Sequence, residues 1–115
     1  LTHEALEGAY NYLSACYPFC KWKMPDADDL AFRVSGHNDR FAHFEYGGTL
    51  AFPTLAVSER TVKTRHDLEA AMAHEMIHVF QWKHKLGSKR AQHNRDFRRR
   101  KRMVCKALDF DLETF

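Results

Sequence analysis

The chain is expected to fold as an α+β domain: an N-terminal helix, a small antiparallel sheet of about three strands, and two further helices, in that order. Three observations carry this expectation. Apolar residues recur at helical spacing near the start of the chain and again in its second half. Between these stretches lie short runs in which apolar and polar residues alternate, bounded by turn formers. The hydrophobic fraction of 44% over 115 residues is enough for one core without staples.

Taken in order, Leu6, Ala9, Tyr10, Leu13, Cys16 and Tyr17 recur at steps of three and four, which marks an amphipathic helix ending before Pro18. Pro25 to Asp29 reads as a loop. Phe32 and Val34 flank Arg33, Gly36-His-Asn-Asp39 supplies turn chemistry, and Ala42, Phe44 and Tyr46 alternate with His43 and Glu45, a pattern that predicts a β-hairpin. Gly47-Gly48 breaks it, and Thr54 to Val57, after Pro53, gives a third strand. Thr64 with Asp67 three residues on forms a capping box. The helix it opens carries Leu68, Ala71, Met72, Glu75 and Val79 along adjoining faces and runs to about Leu86, with Gly87 as its stop. A last helix, from about Asn94 to Leu108, is expected to bury Phe97, Val104 and Leu108. No repeat or low-complexity linker interrupts residues 1–115, which read as a single domain.

Composition narrows the function classes. The three cysteines, Cys16, Cys20 and Cys105, cannot all pair within the chain and form no C-x-x-C, which suggests reduced thiols of an intracellular protein, cytoplasmic or nuclear, with Cys16 buried. No apolar run approaches the roughly 18 residues that span a bilayer. The first residue is Leu1, which leaves open a removed leader or a trimmed start. Charge is divided unevenly: residues 1–75 hold 7 Lys/Arg against 11 Asp/Glu, and residues 76–115 hold 11 against 4. All eleven of the latter lie between Lys83 and Lys106, with Asp96 the one acid among them, and they include the run Arg98 to Arg102. Such a run is either a solvated helix or a surface that faces nucleic acid, with Arg98, Arg99 and Arg102 as candidate phosphate contacts. Trp22 and Trp82 are either core or core-rim residues or stacking platforms.

The most specific local signal is His74-Glu75-Met76-Ile77-His78, an H-E-x-x-H motif on a helical stretch. Four residues advance a helix by slightly more than one turn, so both imidazoles leave one face and can close on a single ion. Glu75 sits about 100° around the axis. From there its carboxylate reaches a water at the open position of a catalytic zinc, as metal-assisted hydrolysis requires. A third ligand is needed, and His84, His93, Asp96, Asp109, Asp111 and Glu113 are available. His84 stands where the third histidine of H-E-x-x-H-x-x-G-x-x-H metzincin peptidases stands, but Gln81 replaces the glycine that turns the chain there. On a continuing helix His84 points some 240° away from His78. His93 follows Gly87 and the polar Ser88 to Gln92, where the chain can reverse and face the preceding helix.

Taken together, Leu55-Ala-Val-Ser58, Arg65-His-Asp-Leu68, His74 to His78 and His93-Asn-Arg-Asp-Phe97 resemble the successive motifs of the SprT-like zinc metallopeptidase family, over about residues 54–105. The resemblance implies a minimal zincin-like domain, a single Zn2+ held by His74, His78 and His93, and Glu75 as general base. Phe97 corresponds to the family's packing anchor. It also implies an endopeptidase acting on DNA-associated or DNA-crosslinked proteins, so that a protein substrate and DNA are the expected partners. Many members carry a zinc ribbon of paired cysteines after this region, and this chain has no such pair. For oxyanion support, Tyr46, His43 and nearby arginines are candidates, and substrate is expected to add as a strand at the hairpin edge. Two rival readings are a zinc-containing nucleic-acid-binding module without proteolytic activity and a metzincin-like peptidase using His84. Glu75 speaks against the first and Gln81 against the second.

Overall fold

A computed structural model describes residues 1–87 and 91–115. Its elements are α1 (His3–Ser14), β1 (Ala31–Ser35), β2 (Ala42–Glu45), β3 (Thr54–Ser58), α2 (Arg65–His84) and α3 (Arg95–Leu108), with short 3₁₀ turns at Phe19–Lys21 and Ala27–Asp29. The arrangement is α+β. The expected polar turn from Ser88 to Gln92, and with it Lys89 and Arg90 of the basic stretch, lies partly outside the described residues.

The rest of the fold is built around α2. Its Ala71, Met72, Ala73, Met76, Ile77, Val79 and Phe80 are buried, so apolar side chains face outward over more than one stripe. Such a helix needs neighbours on several sides. It finds them in α1, in β2 and β3, and in α3. The capping box forms as expected: Thr64 Oγ1 accepts from Asp67 N at 3.0 Å, and Asp67 Oδ2 accepts from Thr64 N at 3.2 Å. The far end departs from the sequence reading. The helix stops at His84, with Lys85 in the left-handed region at φ 58°, rather than at Gly87. Leu86 N donates to Gln81 O at 2.8 Å, which satisfies a carbonyl the helix would otherwise leave open. The cap takes its conformation from that hydrogen bond, and a lysine bears the strain a glycine would avoid.

Leu6, Tyr10 and Leu13 are the buried positions of α1, and Tyr10 OH donates to Pro25 O, pinning the loop beneath. Cys16 is half-buried and Cys105 is the buried cysteine, the reverse of the expected emphasis. The shift follows from α1 ending at Ser14, two residues before Cys16, whereas Cys105 lies on the inner face of α3.

The sheet corrects the sequence reading more deeply. Its order is β1-β3-β2, with β1 parallel and β2 antiparallel to β3, so it is mixed and the expected β1–β2 hairpin does not form. β3 is buried at all five positions and takes the centre, while the strands carrying Arg33, His43 and Glu45 take the edges. The chain between β1 and β2 crosses the end of β3 and is tied there. Ser58 Oγ donates to His37 O, Ser58 N donates to Phe41 O at 2.8 Å, and Thr61 Oγ1 donates to Arg40 O at 2.8 Å. β1 and β2 are thus the two edges of the sheet, and β2 is the one whose residues line the pocket beside His74 and Glu75. Among the described residues no helix is long and apolar enough to cross a membrane.

Candidate metal centre and active-site cleft

The α2 register brings His74 and His78 together one turn apart, with ring centroids 5.3 Å from each other. His93, two residues before α3, completes a near-equilateral triangle, its ring 5.1 Å from that of His74 and 5.3 Å from that of His78. One ligand nitrogen from each lies within 4.8 Å of the other two. Phe97 forms the floor: its ring lies 4.3 Å from that of His93 and 4.6 Å from that of His78, near parallel to both, and 5.1 Å from that of His74. His84 is exposed, its ring 4.3 Å from that of Phe80, and it takes no part in this group.

His93 is placed by a network the sequence reading missed. Gln81, buried to 2% exposure, donates from Nε2 to Asn94 Oδ1 at 2.9 Å and to Asp96 Oδ2 at 3.0 Å. Asn94 caps α3 by accepting from Phe97 N at 2.9 Å and donates to Leu86 O at 3.0 Å. Asp96 is held in turn by Arg100 Nε at 3.0 Å, and the Arg100 guanidinium lies 3.9 Å from the centre of the Phe80 ring. The signal available beforehand was that Gln81 is one turn beyond His78, on the face that α3 must approach. Set against the metzincin pattern, it counted merely as a missing glycine.

The electrostatics suit metal ligands. Burial pushes His74 down to about 4 and His78 to about 3, and His93 is lowered as well, again chiefly by burial. Neutral imidazoles keep the lone pair that coordination uses. His74 Nδ1 lies 2.7 Å from the main-chain oxygen of Phe115, so the proton sits on Nδ1 and Nε2 is left to face the centre. Three imidazoles, two from α2 and one from the segment ahead of α3, with the outer nitrogen of His74 already engaged, fit a catalytic zinc with an open position. Asp96 is occupied in the α2–α3 network. Asp109, Asp111 and Glu113 lie outside the metal-capable group found among the described residues.

Glu75 is 8% exposed and its carboxylate stands 3.8 Å from His74 Nε2. Burial raises its pKa to about 7, with Arg40 pulling the other way. It opens on a cleft of about 750 Å³ between residues 40–46 and α2. Arg40, His43 and Tyr46, the candidates for oxyanion support, all line this cleft. Tyr46 packs with Phe44 and Trp82, whereas His43 Nε2 is tied to Glu45 Oε1 at 2.5 Å.

The basic run divides by role. Arg100 is a structural residue, while Arg98, Arg99 and Arg102 are exposed. Arg98 donates to His93 O at 2.8 Å, and Arg99 lies 3.4 Å from Asp96. Trp22 is core and Trp82 lines the cleft.

Neither a curated protein nor a solved structure matches the chain. The model of the SprT-like family matches residues 21–114, which takes in the sheet, both later helices and all three histidines. With most of its length matched, the chain belongs to the SprT-like family.

Proposed function

We propose that this domain is a zinc-dependent endopeptidase of intracellular proteins associated with or crosslinked to DNA. The observation that carries the reading is the convergence of His74, His78 and His93 beside a buried Glu75 at the floor of an open cleft. His74, His78 and His93 would hold one zinc ion, which when bound acidifies water and polarises a peptide carbonyl. Glu75 takes the proton from the attacking water and returns it to the leaving amine. The neighbouring β2 edge binds the substrate main chain as an added strand. Arg40 reaches the same cleft and supplies positive charge near the reacting carbonyl. The link to DNA is supported by the exposed Arg98, Arg99 and Arg102 and by the resemblance to the family's repair proteases.

Glu75→Gln tests the reading. The amide keeps the shape and removes the base, so the variant is expected to retain zinc and fold while cleavage of an unstructured protein falls by about 10²–10⁴ or more. Undiminished cleavage by the purified variant would remove Glu75 from the mechanism. Zinc-loaded wild type that binds DNA and cleaves nothing would favour the nucleic-acid-binding module instead.

A further inference from the structure

The chain after α3 folds back along the N-terminal half of α2. Asp109 ends the helix in the left-handed region at φ 60°, and Phe110 N donates to Cys105 O at 3.1 Å. Residues 111–115 then close a turn of their own: Glu113 N donates to Asp111 Oδ1 at 3.0 Å, and Phe115 N to Asp111 O at 3.0 Å. Asp111, Leu112, Glu113 and Thr114 are exposed, so the segment is held at its two ends. Phe110 is buried, its ring 5.5 Å from that of His66 and 5.7 Å from that of Phe115. At the other end the Phe115 ring lies 5.3 Å from that of His74, and His74 Nδ1–H donates to Phe115 O at 2.7 Å. Among the described residues this is the hydrogen bond that ties the segment to α2. Between the two ends, a cavity of about 260 Å³ separates the segment from Ala70 and Ala71.

We propose that residues 109–115 form a strap of the metal centre, in which Phe110 anchors the segment, Phe115 O positions His74, and docking of the strap and binding of zinc reinforce each other. The proposal rests on the zinc site and adds a positioning residue to it. The helix fixes where the His74 side chain starts, but neither the rotation of its ring nor its tautomer. An acceptor held at Nδ1 settles both, because the proton then lies on that nitrogen and the lone pair of Nε2 faces the centre. With Nε2 coordinated, the ring loses electron density and Nδ1–H becomes a stronger donor, so its bond to Phe115 O gains charge-assisted character. Whatever factor zinc adds to the docking of the strap, the docked strap returns to zinc affinity. The cavity beneath makes that factor count. A segment supported at its ends alone sits at the low end of local stability, where one hydrogen bond moves the balance.

Zinc affinity, measured by competition with a chelating dye, is the first readout. Phe115→Ala keeps the main-chain oxygen and removes the ring that seats it, and Phe110→Ala removes the anchor. Each should weaken zinc binding by about tenfold or more. Phe115→Leu should recover most of the loss, and Leu112→Ala, at an exposed position between the two ends, should leave affinity unchanged. Because Phe110 packs into the core, the half-buried Phe115 gives the deciding variant.

The reverse direction is read with a glutamate-specific serine protease on metal-free and zinc-loaded wild type. Glu113 lies on the strap and Glu59 just after β3, and both are exposed. Zinc should slow cleavage after Glu113 severalfold more than cleavage after Glu59, and Phe115→Ala should erase the difference. Wild-type zinc affinity in Phe115→Ala, or equal protection at the two glutamates, would overturn the strap and leave the zinc site standing. A wild type that binds no zinc would remove the zinc site itself, and the strap with it.

Discussion

The two histidines of α2 and the histidine ahead of α3 reach the same point by opposite means. His74 and His78 rise from a helix packed against α1, the sheet and α3, and their separation is set by helical pitch. His93 is an exposed residue on a connecting segment. Its place depends on hydrogen bonds from Gln81 to Asn94 and Asp96, on the Asn94 cap, and on the Phe97 ring beneath it. One region is fixed by packing and the other by a small polar network. The site therefore has a rigid pair of histidines and a third held by a separate network, whose loosening is expected to spare the core.

Gln81→Leu would break that contrast most sharply. It keeps the side-chain volume in α2 and deletes both donors to the α3 entry. Zinc affinity, measured by competition with a chelating dye, is expected to fall by about 10- to 100-fold, the usual cost of losing a ligand's supporting partner. Helix content should stay at the wild-type level. An unchanged zinc affinity would mean that Phe97 alone positions His93.

A smaller effect is expected on the outer face of α3. Replacing Arg98, Arg99 and Arg102 with alanine should weaken DNA binding whatever the sequence. It should also flatten the dependence of log affinity on log salt, by up to about one in slope for each phosphate left without its arginine; replacing Arg99 and Arg102 alone, which leaves the Arg98 hydrogen bond to His93 O in place, should do so with zinc content intact. Wild-type affinity and slope in the triple variant would leave that face merely solvated.

The smallest effect concerns pH in the metal-free protein. Burial holds His74 at about 4 and His78 at about 3, against the ordinary 6.5. Between those values the unfolded chain binds protons that the fold refuses, so stability should fall as pH drops from 6.5 toward 4. Glu75, raised from 4.5 to about 7, acts in the opposite sense between those two values, as one group against two. Urea midpoints should therefore decline on acidification, and His78→Gln should lessen the decline. A wild-type midpoint that rises as pH falls toward 5 would show that the α2 imidazoles are not held neutral by burial.

What the sequence made legible was local. The H-E-x-x-H spacing, the Thr64–Asp67 box and the start of α3 at Asn94 each depend on residues within one or two helical turns, and each appears in the structure. The strands were legible as strands, because alternation is a local property. Their order was not, because it depends on which strand can be buried on both faces, and that is decided by α1 and α2 far along the chain. The roles of Gln81 and Arg100 were hidden for the same reason. A glutamine in a helix or an arginine in a basic run reads as surface until a second helix is laid across it.

The central claim is that the third ligand is His93 and that the packed α2 pair cannot hold the metal without it. Metal content of purified wild type, His93→Ala and His84→Ala, compared side by side, tests it most directly. One zinc per chain in wild type and in His84→Ala, with most of it gone from His93→Ala, is the expected result. Zinc retained in His93→Ala and absent from His84→Ala would contradict the claim.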